Sequence, residues 1–449
     1  LIAGTDPDTP LLMNLLLSLI VGALWLIAVV NIFAPAPGLL WVLKALLVCF
    51  VILVLPRVAG HSRILLAALT AVTLALAAIY GEWSAILDGI GRAAIFPAFL
   101  ATIVLLRATA DQRPEIAAAR QMFGALDPER RDSGVVIGTH LIGAVLQVGV
   151  FAILAPILGR DASEEERRNV FTAAIRGMSM VPFWSPFIVG MAVASQYLPA
   201  VPLWEIMGLG LTFAVFGILF SFLMVDRNRG LTPLMQALKS LTPVVLPIAI
   251  AALVVVGTTA LTSLTTLQAL IVGLPIPCII ALISLKNGAL RQAVTQTMSG
   301  LSRIGTETCI LAFATTLGMV FEVSLPHMGL LSWLTTQDFP APVIILLIIM
   351  IMNIAGLAGI HAIVMGTMLL VIFTSVPTGV SDLVLMQALL IGWGLGSGIS
   401  IGSLSVATGA AMFQIAPTQL VTRANIIFVF VVSMIYTDIL SVLNIVLTG

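Results

Sequence analysis

The sequence predicts an all-α polytopic membrane protein of about 11 transmembrane helices plus two re-entrant hairpins, and three observations carry that expectation. Hydrophobic residues make up 60% of the 449 positions and Asp, Glu, Lys and Arg only 9%, with a mean hydropathy of +1.16, a balance that leaves too little charge to cover a surface in water. Apolar runs of about 17 to 25 residues recur along the whole chain, the length a helix needs to cross a bilayer. They lack the period-two alternation of a barrel strand, and only helices or closed barrels satisfy their own backbone in lipid. Finally, the basic residues gather in the breaks between runs, where they set orientation.

Taken in order, the first runs cover 11–31, 38–56, 63–80 and 86–107. "RATADQRPEIAAARQMFGALDPERRDS" follows, too polar to span, with Ile116, Met122, Phe123 and Leu126 at helical spacing and arginines throughout. It reads as a surface helix on the inner face. If "GVVIGTHLIGAVLQVGVFAILAPILG" crossed the membrane, Arg160, Arg167 and Arg168 would face outward; as a hairpin that enters and leaves on one side it keeps them inside. Its Gly-rich start, "IGTHLIG", suits irregular backbone lining a cavity.

A broken span is expected over 170–198 and a further one over 204–225, after which Arg227, Arg229 and Lys239 return to the inner face. Spans at 242–262 and 265–285 lead to "KNGALRQAVTQTMSGLSR", an inner connection carrying Lys286, Arg291 and Arg303. After a span at 306–324, "PHMGLLSWLTTQDFPAP" has no Lys or Arg, as an outer loop should. The run 343–375 reads as a second hairpin entered from outside, 383–417 as a second broken span ending before Arg423, and 425–447 as the last crossing. Lys44 and Arg92 are then the basic residues away from the inner face, Arg92 close enough to a span end to snorkel.

The two halves echo each other. Laying "GTHLIGAVLQVGVFAILAP" over "AGIHAIVMGTMLLVIFTSVP" superposes His140 on His361, 221 residues apart, and "MVPFWSPFIVGMAV" over "IGSLSVATGAAMFQ" brings Ser185 near Thr408, 223 residues apart. Two matches at nearly one offset, in one order, indicate a repeat. Because the hairpins enter from opposite sides, the repeat is expected to be inverted.

Chemistry is expected where the helices break. Pro182, Ser185 and Pro186 interrupt one span, and Ser405, Thr408 and Gly409 the other. An interrupted helix offers free N–H groups to an anion and free C=O groups to a cation without burying a full charge. The expected substrate-binding residues are Thr139, His140, Pro182, Ser185, His361, Ser405 and Thr408; Gly138, Asn353, Gly359 with its neighbour Ile360, and Gly409 are expected around a coupling ion. Ser397, Ser400 and Ser403 add oxygens nearby, and Glu322 and Asp438 are intramembrane acids. The paired histidines would hydrogen-bond the anion or carry a proton; the competing reading is a neutral imidazole satisfied by a carbonyl.

Equal numbers of basic and acidic residues, 20 each, give no field for a nucleic acid. Cys49, Cys278 and Cys309 stand singly in apolar stretches, without the spacing of a metal site. No G-x-S-x-G motif appears and neither His140 nor His361 has an acid nearby in sequence, so no catalytic residues and no enzyme are expected. No cofactor is expected either, and no metal beyond Na⁺ or H⁺ as coupling ion.

The order of elements, and "GSLSVATGAAMFQIA" as the second break, resemble the ion transporter superfamily over residues 38–449. The likeness is to divalent anion/sodium symporters, related to the large membrane subunit of tripartite ATP-independent periplasmic transporters. It implies ion-coupled symport of a small organic anion such as a carboxylate, by elevator-type alternating access in a homodimer in the bacterial cytoplasmic membrane. On that pattern 1–37 is an N-terminal segment and first span, 38–107 and 226–305 are scaffold halves, 108–134 is the inner surface helix, 135–225 is one transport half, and 306–449 holds the second. A tripartite system would add a soluble binding protein; a cation/proton antiporter is a further alternative on the same fold. The Ser-Asn-Thr tips of the dicarboxylate symporters are replaced by "GTHLIG" and "GIHAIV", and Thr408 is followed by Gly409 and Ala410 where that group has two prolines.

Overall fold

A computed structural model describes residues 11–58, 60–116, 118, 131–155, 158, 162–226, 232–285, 288–337 and 339–449. The described residues contain helices and no strand. Among the described residues nine helices are long and apolar enough to cross a membrane, and shorter apolar helices accompany them. Leu12, Ile64, Leu246 and Ile445 are 65–76% exposed on the perimeter, an apolar rim that only lipid can cover. This is an integral membrane architecture.

The first half comprises α1 (Leu11–Phe33), α2 (Pro37–Val54), α3 (Gly60–Tyr80), α4 (Ser84–Ala93), α5 (Phe96–Asp111), α6 (Arg131–Leu146), α7 (Val150–Leu154), α8 (Glu164–Ser179), α9 (Val189–Tyr197) and α10 (Leu203–Ser221). The second comprises α11 (Thr232–Leu261), α12 (Thr266–Gly273), α13 (Pro275–Ser284), α14 (Ala289–Leu301), α15 (Gly305–Ser324), α16 (Leu330–Gln337), α17 (Ala341–Leu357), α18 (Ala362–Thr374), α19 (Asp382–Gly398), α20 (Leu404–Phe413), α21 (Pro417–Leu420) and α22 (Arg423–Thr448). Local chemistry sets several of the starts. Ser163 and Ser381 cap α8 and α19 through the amides of Glu166 and Val384, Thr265 and Gln268 form a capping box on α12, and prolines open α2, α5 and α13, where a missing N–H costs nothing.

Three expectations change. The fourth span is interrupted at Ala94–Ile95, just ahead of Pro97, and the span at 265–285 breaks at Leu274, ahead of Pro275. The inner connection after it holds α14, a helix that buries Ala289, Ala293 and Leu301 and whose Met298 carbonyl accepts from Ser18 Oγ at 2.8 Å. Residues 117 and 119–130 of the surface helix expected at 108–134 lie outside the described residues, as do Arg227, Arg229 and Lys286.

In two places neighbouring helices run in parallel register. His140 and Val136 lie against Gly177, Ala144 accepts from Ser185, and Gln147 reaches Phe187, so α6 runs parallel to α8 and its continuation. Likewise Ile349 meets Gly392 and Asn353 meets Gly396, so α17 runs parallel to α19. Between the parallel neighbours α17 and α19 lies α18, and between α6 and α8 lies α7. Each turn is marked by a left-handed residue, Gln147 (φ 52°) and Gly359 (φ 76°), the second relieved by having no Cβ.

The halves meet across one another. Ser179 packs on Gly394 and Gly398, and Ile175 approaches Gly398, an antiparallel register between α8 and α19. Tyr436 donates to the Phe213 carbonyl and Phe220 stacks near Phe428, so α10 and α22 are antiparallel too. The return arm of each hairpin packs on the second broken-span segment of the other half, α18 on α9 and α7 on α20. The central helices are wholly buried from Val170 to Ser179 in α8 and nearly so from Val384 to Gly398 in α19.

Candidate functional site

Each hairpin tip docks on the break in the span beside it. Gln147 Nε2 donates to the Phe187 carbonyl at 2.7 Å, and the Gly359 carbonyl lies against Gly402. Between these two junctions is a cavity of about 160 Å³. Its wall is built largely from helix ends. Ile188 and Val189 start α9, His361, Ala362 and Ile363 start α18, and Ser403, Leu404 and Ser405 start α20, all facing one space. Ser179 ends α8 and Gly398 ends α19 on the same space.

The consequence is electrostatic. Three helix N-termini bring first-turn amides and a fractional positive charge, and two C-termini present carbonyls, so the cavity suits an anion with a cation beside it. Side chains complete it. Ser403 Oγ accepts from Val406 N–H at 3.1 Å. His361 Nδ1 accepts from Ile363 N–H at 3.3 Å, which puts the ring proton on Nε2, a donor for a carboxylate. Ser397, Ser400 and Ser405 add hydroxyls. Trp393 walls one side, wedged between α9 and α18 so tightly that a Cβ on Gly190 or Gly366 would stand 2.9 or 2.8 Å from its ring.

Of the residues expected to bind substrate, the cavity is lined by Pro182, His361 and Ser405; of those expected around an ion, by Ile360 at the tip next to Gly359. The others are used elsewhere. Thr139 bonds back to the Val135 carbonyl at 2.5 Å, and Gly138 is buried inside α6. Ser185 Oγ donates to the Ala144 carbonyl at 2.9 Å, fastening the break to the hairpin. Asn353 donates to Ser433 at 2.8 Å, Thr408 is buried within α20, and Gly409 lies on the ring of Phe171. Asp438 is exposed on α22, and Glu322 holds Arg92 at 3.0 Å.

His140 requires the largest correction. It lies within α6 ahead of the tip at Gln147, whereas His361 follows the tip at Gly359, so the two do not occupy equivalent places. Its Nδ1 meets the Gly177 carbonyl at 3.1 Å and its Nε2 accepts from Trp184 Nε1–H at 3.0 Å. Both ring nitrogens are satisfied in the core, and the neutral, carbonyl-bound imidazole is the arrangement present.

Sequence reasoning missed three polar residues here. Gln147 and Glu307 line the cavity, and Arg107, near the end of α5, donates to Gln147 Oε1 and interacts electrostatically with Glu307. Gln147 carried one signal, a lone amide in an apolar hairpin. Glu307 carried another, an acid in the first turn of a membrane helix, where the dipole favours it.

A second charged junction sits at the far end of α15. Arg92 of α4 bonds Glu322, reaches the Gln196 carbonyl at 3.4 Å and lies 4.4 Å from the Tyr197 ring centre. It ties α4 and α15 to the end of α9. No profile of a known protein family matches the chain, and a search of characterised proteins finds no match.

Proposed function

We propose that the chain is a secondary active transporter of inverted-repeat type that carries a small organic anion, such as a carboxylate, by ion-coupled symport. The observation that carries this reading is the meeting of three helix N-termini and two helix C-termini at one cavity between the turns at Gln147 and Gly359. Such a site holds an anion and a cation without a buried fixed charge on every contact. The antiparallel pairing of α8 with α19 and of α10 with α22 supports alternating access, since it makes the two ends of the site chemically alike. An elevator motion would carry the hairpins and broken spans past α1–α3 and α11–α13, with Arg92 clasping one limit of travel. The resemblance to the ion transporter superfamily points the same way, including to a homodimer in a bacterial cytoplasmic membrane.

Counterflow tests it. Purified chain in liposomes preloaded with a set of unlabelled mono- and dicarboxylates should take up the labelled counterpart of at least one, and Ser403→Ala should weaken that exchange. Absence of exchange for every carboxylate, with uptake of an organic cation instead, would overturn the reading. Uptake only after addition of a soluble binding protein would move the chain to the tripartite class.

A further inference from the structure

Glu307 lines the cavity, and Arg107 reaches the lining residue Gln147 from behind. Arg107 belongs to α5 and Glu307 to α15, while the tip that meets them, Gln147, belongs to the first hairpin. Arg107 Nη2 is spent on the amide oxygen of that tip, and its Nε is buried with no hydrogen-bond partner. Glu307 has the cavity on one side and Arg107 as its electrostatic partner. A guanidinium with a buried N–H to spare, beside a carboxylate that opens onto a solute-sized space, is a costly arrangement unless something else is meant to bind it.

The neighbouring charges narrow the roles. From α5, Arg107 interacts electrostatically with both Glu307 and Asp111. From α18, His361 lies across the cavity, and from α3, exposed His61 stands beside Gly402. Arg303, just ahead of α15, is exposed. Asp88 of α4 is held by Lys44 of α2 at 4.0 Å, and Glu322, at the far end of α15, is taken by Arg92. Arg107 is therefore the cation that governs Glu307.

The same geometry discriminates between coupling ions. Sodium needs several oxygen ligands with no fixed cation among them, as hard cations do. At the first tip the side-chain oxygen, Gln147 Oε1, already accepts from Arg107, and the guanidinium would repel a second cation. A proton needs one carboxylate. Resting on the transporter reading, we propose that Glu307 is the coupling-ion site, that the ion is a proton, and that Arg107 changes partner with it. With Glu307 ionised, Arg107 pairs with it. When Glu307 takes a proton from one side it becomes a neutral acid, and the released guanidinium binds the carboxylate of the solute. The added proton balances a single added carboxylate charge, so a monocarboxylate moves without net charge and the proton leaves as Glu307 reclaims Arg107.

Infrared difference spectroscopy on the full chain in liposomes, with protons alone as the probe, tests the site without any solute. Wild type should show a carboxylic-acid C=O band that titrates, Glu307→Gln should remove it, and Glu307→Asp should restore a titrating band. Arg107→Gln should move the midpoint up by about one pH unit or more, a tenfold gain in proton affinity, because the ionised form loses its cation. Sodium chloride should leave the band in place. Persistence of the band in Glu307→Gln, or its replacement by a sodium-dependent signal, would overturn the proposal. Labelled lactate and succinate then serve as solute probes. Accumulation under a pH gradient without sodium, lowered at least tenfold in Glu307→Gln, supports the coupling role; accumulation under a sodium gradient alone defeats it. If neither solute, nor any carboxylate in counterflow, moves while the Glu307 band titrates as stated, the transporter reading fails and the proton site stands.

Discussion

Replacing His140 tests whether the most conspicuous residue of the sequence belongs to the cavity or to the frame around it. The imidazole is 2% exposed and bridges Gly177 in α8 to Trp184 in the break. In His140→Ala the Gly177 carbonyl and the Trp184 N–H each lose their partner, at about 1–3 kcal/mol apiece, and the vacated ring adds a cavity cost of about 1–2 kcal/mol. The sum, about 3–8 kcal/mol, should lower the apparent melting temperature by about 6–16 °C, given about 2 °C per kcal/mol in a large chain. Trp184→Phe should cost about 1–3 kcal/mol by itself, and the double variant should be less damaging than the sum by about 1–2 kcal/mol, since neither partner is then left alone. Thermal unfolding of purified protein in one detergent, followed by size-exclusion retention, measures all three. A His140→Ala protein that unfolds within about 2 °C of wild type but has lost affinity for the transported carboxylate would refute the argument.

Three further outcomes follow from contacts of the same kind. Gly409→Ala should lower stability by about 1–3 kcal/mol in the same assay, because its Cβ falls on the Phe171 ring, itself pinned by Phe151 and Phe413 at 5.3 and 5.5 Å. Ser403→Ala should cost about 1 kcal/mol of helix capping and weaken carboxylate exchange severalfold in counterflow, loosening the N-terminus of α20 at the cavity. Arg92→Gln should change stability by less than about 1 kcal/mol, since the ion pair is partly exposed, yet raise hydrogen exchange across 189–198 severalfold by releasing the end of α9.

Run length makes most of the spans legible in the sequence. The expected crossings at 38–56, 63–80, 306–324 and 425–447 fall within a few residues of α2 with its 3₁₀ extension, α3, α15 and α22. The broken spans are legible because Pro182 and Pro186 in one and the Gly-Ser stretch 396–403 in the other cannot sustain a helix. Helix α14 is not, because its polar face outweighs the Ala289–Ala293 stripe that seats it. The overlay of the histidines fails for a related reason. The halves keep an offset of 219 between the last residues of α8 and α19, 179 and 398, but of 212 between the tips, 147 and 359. A single offset drawn through the G-x-H tripeptides therefore slides one tip by about two and a half helical turns. Arg107 and Glu307 are brought together by tertiary packing across 200 positions, and no local pattern announces such a pair.

Trp393 has a practical consequence for anyone who alters this cavity. Its indole fills space that Gly190 and Gly366 leave vacant on two separate helices, so positions 190, 366 and 393 form one volumetric locus. An enlarged residue at either glycine is tolerable only when the indole is trimmed in the same protein, and single-site scans will score all three as indispensable while a matched triple is accommodated. Combinatorial libraries, rather than substitutions made one at a time, are the way to reshape that wall.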